Sequence, residues 1–208
     1  MERFDHTNFH QLCDLLSKKD EDLQKIIGEY GYPPLWTRRN SFETLVLTIL
    51  EQQVSLASAY AAYKKLKERI DITADNLILL TDEELRNSYF SRQKIIYVKE
   101  LATAIISKRI DLDKFEELEN EMVRTELKKL KGIGDWTVDI YLLHSLGRTD
   151  IFPIGDLALV NSIKMIRNTV ATKEQLIELS EKWKPYRSIA TMIFWHYYIK
   201  KKNIRIIH

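Results

Sequence analysis

This sequence predicts an all-α fold, on three observations. Apolar residues recur at three- and four-residue intervals along most of the 208 residues, the period of an amphipathic helix. Four prolines and six glycines are all that interrupt the pattern, most of them at evident breaks. No segment alternates apolar and polar residues as a half-buried strand does.

Phe9, Leu12, Leu15 and Leu16, then Leu23, Ile26 and Ile27, predict one or two short helices across residues 8–30, stopped by Gly28 and Gly31. Tyr32-Pro33-Pro34-Leu35-Trp36 is extended, because proline disfavours helix in the residue before it. Ser41 is placed to cap a long apolar helix from about Phe42 to Gln53, and Ser55 to cap the next, which carries Tyr60, Tyr63, Leu66 and Ile70. Thr73 and Thr81 begin two short helices, and Glu84, three residues after Thr81, completes a capping box. Further helices are expected from Ile95 to Ile106 and from Glu121 to Leu130. Gly132-Ile133-Gly134 separates the latter from a helix over Trp136 to Leu146. Leu157 to Asn168, Lys173 to Trp183 and, beyond Pro185, Ser188 to Lys200 complete the set.

Composition closes off several classes. Hydrophobic residues are 45% and charged residues 30% of the chain, which suits a globular core. No stretch approaches the ~20 apolar residues that span a bilayer, and Met1-Glu2-Arg3-Phe4-Asp5-His6 lacks the pattern of a signal peptide. A single cysteine, Cys13, excludes a disulfide framework, a cysteine-ligated zinc and an iron–sulfur cluster within one chain. It points to a reducing, intracellular setting. His6, His10, His144, His196 and His208 lack carboxylates at ligand spacing, so no side-chain metal site is expected. There is no phosphate loop, nucleophile elbow or dinucleotide fingerprint. A net charge of +2 does not announce a nucleic-acid binder; charge must cluster. Lys128, Lys129 and Lys131 crowd one turn, and Lys200, Lys201, Lys202 and Arg205 crowd the C-terminus, although a solvated face gives the same pattern.

Leu127 to Asp139 reads as helix, Gly-x-Gly turn, helix. Two glycines let the backbone turn tightly and approach a partner. The turn's N–H groups and the following helix N-terminus suit an anion such as a DNA phosphate. Leu130 and Ile133 would anchor the turn, and the lysines add attraction for a polyanion. Twenty-two residues past Gly134 stands Asp156, closing Phe152-Pro153-Ile154-Gly155 and opening an apolar helix. Aspartate is a favoured N-cap, and a helix N-terminus favours negative charge. A capping role and an electrostatic one are compatible.

The Gly-Ile-Gly hairpin, followed by a proline-containing loop ending in Asp156, resembles the helix-hairpin-helix (HhH-GPD) DNA glycosylase superfamily. Four further segments resemble its 3-methyladenine DNA glycosylase II (AlkA) family: Pro34-Leu35-Trp36 with Ile49 to Ser55, Phe90 to Lys94, Trp136-Thr137, and Trp183 to Ala190. They run in order across about residues 32 to 198. The resemblance implies two helical lobes flanking a DNA-binding cleft. Residues 1–40 with 150–208 would form one lobe, which carries the catalytic aspartate, and 41–149 the other, ending in a hairpin at about 127–146. It implies a monofunctional glycosylase that removes alkylated bases, of the 3-methyladenine and 7-methylguanine type, flipped out of duplex DNA.

By the same resemblance Asp156 is catalytic, and Trp136, Trp195, Tyr141 and Trp36 line the base pocket. Gln53 plugs the gap left by the flipped base, and Lys131, Gly132, Ile133, Gly134 and Thr137 contact DNA. Trp136 stands where strand-cutting relatives carry a Schiff-base lysine, so no lyase activity is expected. Carbonyls of Leu130 and Ile133 could hold a structural monovalent cation; no other cofactor is expected, and no iron–sulfur cluster or membrane. The chain would act as a monomer, in cytoplasm and nucleoid or in a nucleus according to its source.

Departures from the resemblance shape two expectations. About forty residues precede the core, so the N-terminal α/β domain of the bacterial type protein is expected to be missing. Ile140 stands where that protein has a pocket tyrosine, with Tyr141 next to it, so the damage spectrum can differ. Arg187 and Ser188 suit packing or an ion pair. The competing readings are a non-catalytic DNA-binding protein of the same fold, a glycosylase for another lesion, and an all-α protein-interaction module.

Overall fold

The computed structural model describes residues 2–204. Arg205 and His208, part of the C-terminal basic run and of the histidine set, lie outside the described residues. Among the described residues twelve α-helices follow one another. They are α1 (Phe9–Ser17), α2 (Glu21–Tyr30), α3 (Phe42–Glu51), α4 (Leu56–Lys67), α5 (Ala74–Ile78), α6 (Asp82–Asn87), α7 (Arg92–Ile106), α8 (Asn120–Leu127), α9 (Asp135–His144), α10 (Leu157–Arg167), α11 (Lys173–Ser180) and α12 (Arg187–Lys201). Two 3-10 turns, Lys114–Glu116 and Glu181–Trp183, complete the set. Among the described residues there is no strand, only an isolated antiparallel bridge between Arg3 and Arg148.

Polar caps set most boundaries. Ser41, Ser55, Thr73, Ser91, Asp156 and Thr172 each accept a backbone N–H of the first turn of the helix they precede. Thr81 and Glu84 form the reciprocal capping box that the sequence predicts. Gly28 does not stop a helix: it lies inside α2, on an exposed face where a Cβ would meet nothing within 4 Å beyond its own helix, and Gly31 at φ +77° ends the helix instead.

The chain divides into two compact units. Among the described residues, one is built from those up to Thr37 together with residues 142–204. Its centre is α12, buried continuously from Ser188 to Tyr197 because α1, α2 and α10 pack around it. Trp183 is fully buried beside Phe194 and Phe152 and donates its indole N–H to Asp20 Oδ2 at 2.7 Å. Asp20 also caps α2 and pairs with Lys182. Burial pushes the Asp20 carboxyl up, but hydrogen bonds from Lys182 and Trp183 outweigh it and hold the carboxyl below its ordinary value of 3.8. A depressed carboxyl adds stability that is present above the unfolded value and is lost as pH falls through the folded one. Asp20→Asn keeps a cap acceptor and removes the charge. Its melting temperature should therefore trail wild type at pH 6 and converge on it between pH 4 and pH 2 in a thermal-melt series; a gap independent of pH would contradict this.

The second unit is Arg38–Tyr141, in which α3 packs on α4 and α7, and α5 and α6 pack on α7. Its core holds Leu45, Ile49, Leu66, Leu77, Leu101 and Leu127, each fully buried.

Candidate active site and nucleic-acid interface

Asp156 stands in the first unit as the N-cap of α10 (φ −82°, ψ 116°), its side chain half-buried. A tight turn delivers it: Asp156 N–H donates to Pro153 O at 2.8 Å, with Pro153 buried beneath. Its Oδ1 accepts two bonds at 2.9 Å, from the backbone N–H of Leu159 and from the indole Nε1–H of Trp195. The first is the cap. The second reaches across from α12, which packs on α10. Trp195 is only 8% exposed and stacks on His144, ring centroids 5.4 Å apart and planes within 12°. His144 Nδ1 lies 2.5 Å from the carbonyl of Trp36; a carbonyl only accepts, so Nδ1 carries a proton. Trp36 is half-buried, 6.4 Å from the His196 ring, and its indole nitrogen is buried with no partner among the described residues. A carboxylate held by two donors, in a setting of aromatic rings, is fixed in place before any reaction begins.

The segment leading to Asp156 is anchored by α12. Arg187 grips Asp150 with two bonds, Nε–Oδ1 at 2.7 Å and a second at 2.9 Å to Oδ2. Buried Ser188 donates its hydroxyl to Arg148 O at 2.6 Å and accepts Ile151 N–H at 2.9 Å. Both residues are structural, as the sequence suggested. Ser188→Ala leaves a buried donor and acceptor unpaired. It should cost about 2 kcal/mol, or roughly 4–8 °C in melting temperature for a chain of this size; an unchanged melt would show that the loop keeps itself in place.

The second unit carries the hairpin between α8 and α9. Ile133 N–H closes onto Leu130 O at 3.2 Å, with both side chains buried. Gly132 has φ +86°, and a Cβ there would stand 2.2 Å from the Tyr97 ring. Gly134 is exposed, a Cβ there would meet nothing within 4 Å, and its carbonyl takes the first bond of α9, from Val138 N–H at 3.1 Å. A glycine in that position has no side chain to cap the first-turn amides. Gln52 Nε2 donates to Gly132 O at 2.8 Å and to buried Thr137 Oγ1 at 3.0 Å, a tie the sequence did not disclose. Thr137 therefore braces the hairpin from inside.

The lysine cluster is less positive than its sequence. Lys128 pairs with Asp135 at 2.8 Å and Lys129 with Glu126 at 2.7 Å, while Arg124 bonds Asp139 at 2.5 Å. Burial pushes the Asp139 carboxyl up despite that partner. Lys131 is exposed and has no ion pair among the described residues.

Trp136 is half-buried in the first turn of α9, and Gln53 is exposed in the loop after α3 at φ +56°. Tyr141 does not meet the pocket expectation: it is fully buried, donates its hydroxyl to Asn40 Oδ1 at 2.5 Å and meets Phe115 edge-on, so no face of it is open to a ligand. His144 and His196 are what sequence reasoning missed, because ring stacking and carbonyl bonds to residues distant in the sequence leave no local pattern.

Described residues that are helical and without strands, with a glycine hairpin and a helix-capping aspartate after a proline turn, define a helix-hairpin-helix protein. Residues 46–185 match the family described as HhH-GPD superfamily base excision DNA repair protein, and the chain belongs to that superfamily. It is 30% identical over 194 residues to DNA-3-methyladenine glycosylase 1 of Schizosaccharomyces pombe, covering 86% of this chain and 83% of that one. It is 29% identical over 169 residues to a DNA-3-methyladenine glycosylase of Bacillus subtilis, covering 74% and 56%. The chain spans less than two thirds of two Bacillus subtilis relatives, 64% of one and 56% of the other. Among solved structures it is similar to the Schizosaccharomyces pombe 3-methyladenine DNA glycosylase in complex with abasic DNA, with a TM-score of 0.85 at 27% identity, covering 95% of this chain and 100% of that one. Among the described residues no helix is long and apolar enough to cross a membrane.

Proposed function

We propose that this chain is a monofunctional DNA glycosylase of base excision repair. It hydrolyses the N-glycosidic bond of alkylated bases of the 3-methyladenine and 7-methylguanine type, flipped out of duplex DNA, and leaves an abasic site. The observation that carries the reading is Asp156, a half-buried carboxylate oriented by Leu159 N–H and Trp195 Nε1–H, in a chain similar to proteins named as 3-methyladenine glycosylases. Cleavage of an N-glycosidic bond develops positive charge on the sugar. A cationic base already leaves readily, so the protein's task is to stabilise the sugar and admit water. A fixed carboxylate does the first and can accept the proton of the second.

Trp136 offers a π face to a cationic base, and Trp36, half-buried, contributes an aromatic wall to the base pocket. Trp195 serves by holding Asp156. The hairpin amides and Lys131 bind the phosphate backbone, and Gln53 fills the gap left by the flipped base. The carbonyl oxygens of Leu130 and Ile133 are neutral, hard ligands of the kind that suits a monovalent cation there. The protein would work as a monomer where DNA resides, in nucleoid or nucleus. No lysine stands at position 136, and an indole is no nucleophile, so the strand stays whole.

The test is an end-labelled duplex with one 7-methylguanine. The expected product is a strand that breaks at the lesion only after alkali. Breakage without alkali would overturn the monofunctional reading; no alkali-labile site, with binding intact, would leave a DNA-binding protein of this fold.

A further inference from the structure

We propose that Gln52 is a positioning residue that couples the hairpin to Gln53, so that the grip on the DNA backbone and the side chain entering the duplex move as one body. The proposal rests on the reading of Gln53 given above. Four contacts within the second unit carry it. Gln52 itself holds Gly132 O and Thr137 Oγ1, one acceptor on each side of the glycine turn. One residue earlier, Glu51 is clamped by Arg38 through two bonds, at 2.8 and 2.6 Å. One further back, Leu50 O accepts Lys94 Nζ at 2.6 Å. One residue later, Gln53 adopts φ +56°, a left-handed conformation that is unfavourable for a residue with a side chain.

Strain of that kind persists only where the surroundings impose it. Here every anchor falls on residues 50–52, and the Gln53 side chain has no hydrogen-bond partner among the described residues. The loop is thus fixed at its base and bare at its tip. Two adjacent glutamines divide the work: Gln52 turns inward to the hairpin, Gln53 outward. Thr137 is the second element of the coupling, since it joins the first turn of α9 to the same amide.

The test compares Gln52→Met, which keeps length and loses the donor, with Gln53→Ala and the double variant, and adds Gln52→Lys, which restores a donor. Base release is followed in single turnover with protein in excess and all the DNA bound, duplex affinity by titration, and flipping by the fluorescence of a 2-aminopurine next to the lesion. The expected result is affinity within about threefold of wild type for Gln52→Met and base release slowed about tenfold. The 2-aminopurine rise should be slowed in step, and Gln52→Lys should recover part of both. The double variant should be no slower than Gln53→Ala alone, because Gln52 acts through Gln53. Multiplicative rate losses would overturn the coupling. So would a Gln52→Met loss of affinity as large as its loss of rate, or a wild-type protein that binds duplex without any 2-aminopurine rise. If wild type flips but releases no base, the glycosylase reading fails, and the fluorescence comparison still decides this one.

Discussion

Asp156→Asn should abolish most base release while leaving the protein folded. Asparagine caps helices as well as aspartate does, and its carbonyl oxygen can accept both Leu159 N–H and Trp195 Nε1–H in place of Oδ1. What it lacks is the negative charge. Loss of one preorganised electrostatic group at a reacting centre costs on the order of 10²–10³-fold in rate, and the melting temperature should stay within about 2 °C. Asp156→Ala removes the cap as well, at about 1 kcal/mol, and strands the indole N–H of Trp195. The two variants therefore separate the roles. Equal rate loss with unequal melts marks a catalytic charge that is also a cap. A fast asparagine variant would mean that Asp156 is a cap alone.

Gly132→Ala is the second large effect, this time on fold and DNA binding together. The methyl group would fall on the Tyr97 ring at 2.2 Å, at a backbone φ of +86° that favours glycine. Overpacking of this kind costs about 1–3 kcal/mol, and the left-handed conformation adds about 1–2. A loss of about 3 kcal/mol corresponds to roughly 6–12 °C, and the displaced turn should lose at least about tenfold in duplex affinity. Gly134→Ala is the informative partner. A Cβ there would meet nothing within 4 Å, so its melt should hardly move. The fold does not require a glycine at 134; on the proposed reading, close approach of the DNA backbone does. Weakened duplex binding by a fully folded Gly134→Ala would place the phosphate at that end of the hairpin, and unchanged binding would remove it from there.

Much of this was legible in sequence wherever a local rule was at work. Ser41, Ser55, Thr73, Thr81 and Asp156 cap where their side chains can accept first-turn amides, which needs only neighbours in the chain. Ser91 escaped because Arg92, Gln93 and Lys94 hide the apolar period until Ile95. Gly28 misled because an exposed helical glycine costs only about 1 kcal/mol, which a packed helix tolerates. The site is less legible because its contacts are distant in the chain. The bond from Trp195 to Asp156 spans 39 residues, and that from His144 to Trp36 spans 108. No spacing distinguishes Gln52 from Gln53, or shows that Tyr141 turns to Asn40. The lysine run left a positive patch and a solvated face both open, because pairing with Asp135 and Glu126 is invisible without the fold.

The most direct measurement is single-turnover release of 3-methyladenine from methylated duplex DNA by wild type and Asp156→Asn, each at protein concentrations that bind all the DNA. Release by wild type and a loss of at least about 10²-fold in the folded variant are the predicted result. Equal rates for the two, or no release by a wild-type protein that holds the duplex, would contradict the assignment of Asp156 as the reacting carboxylate.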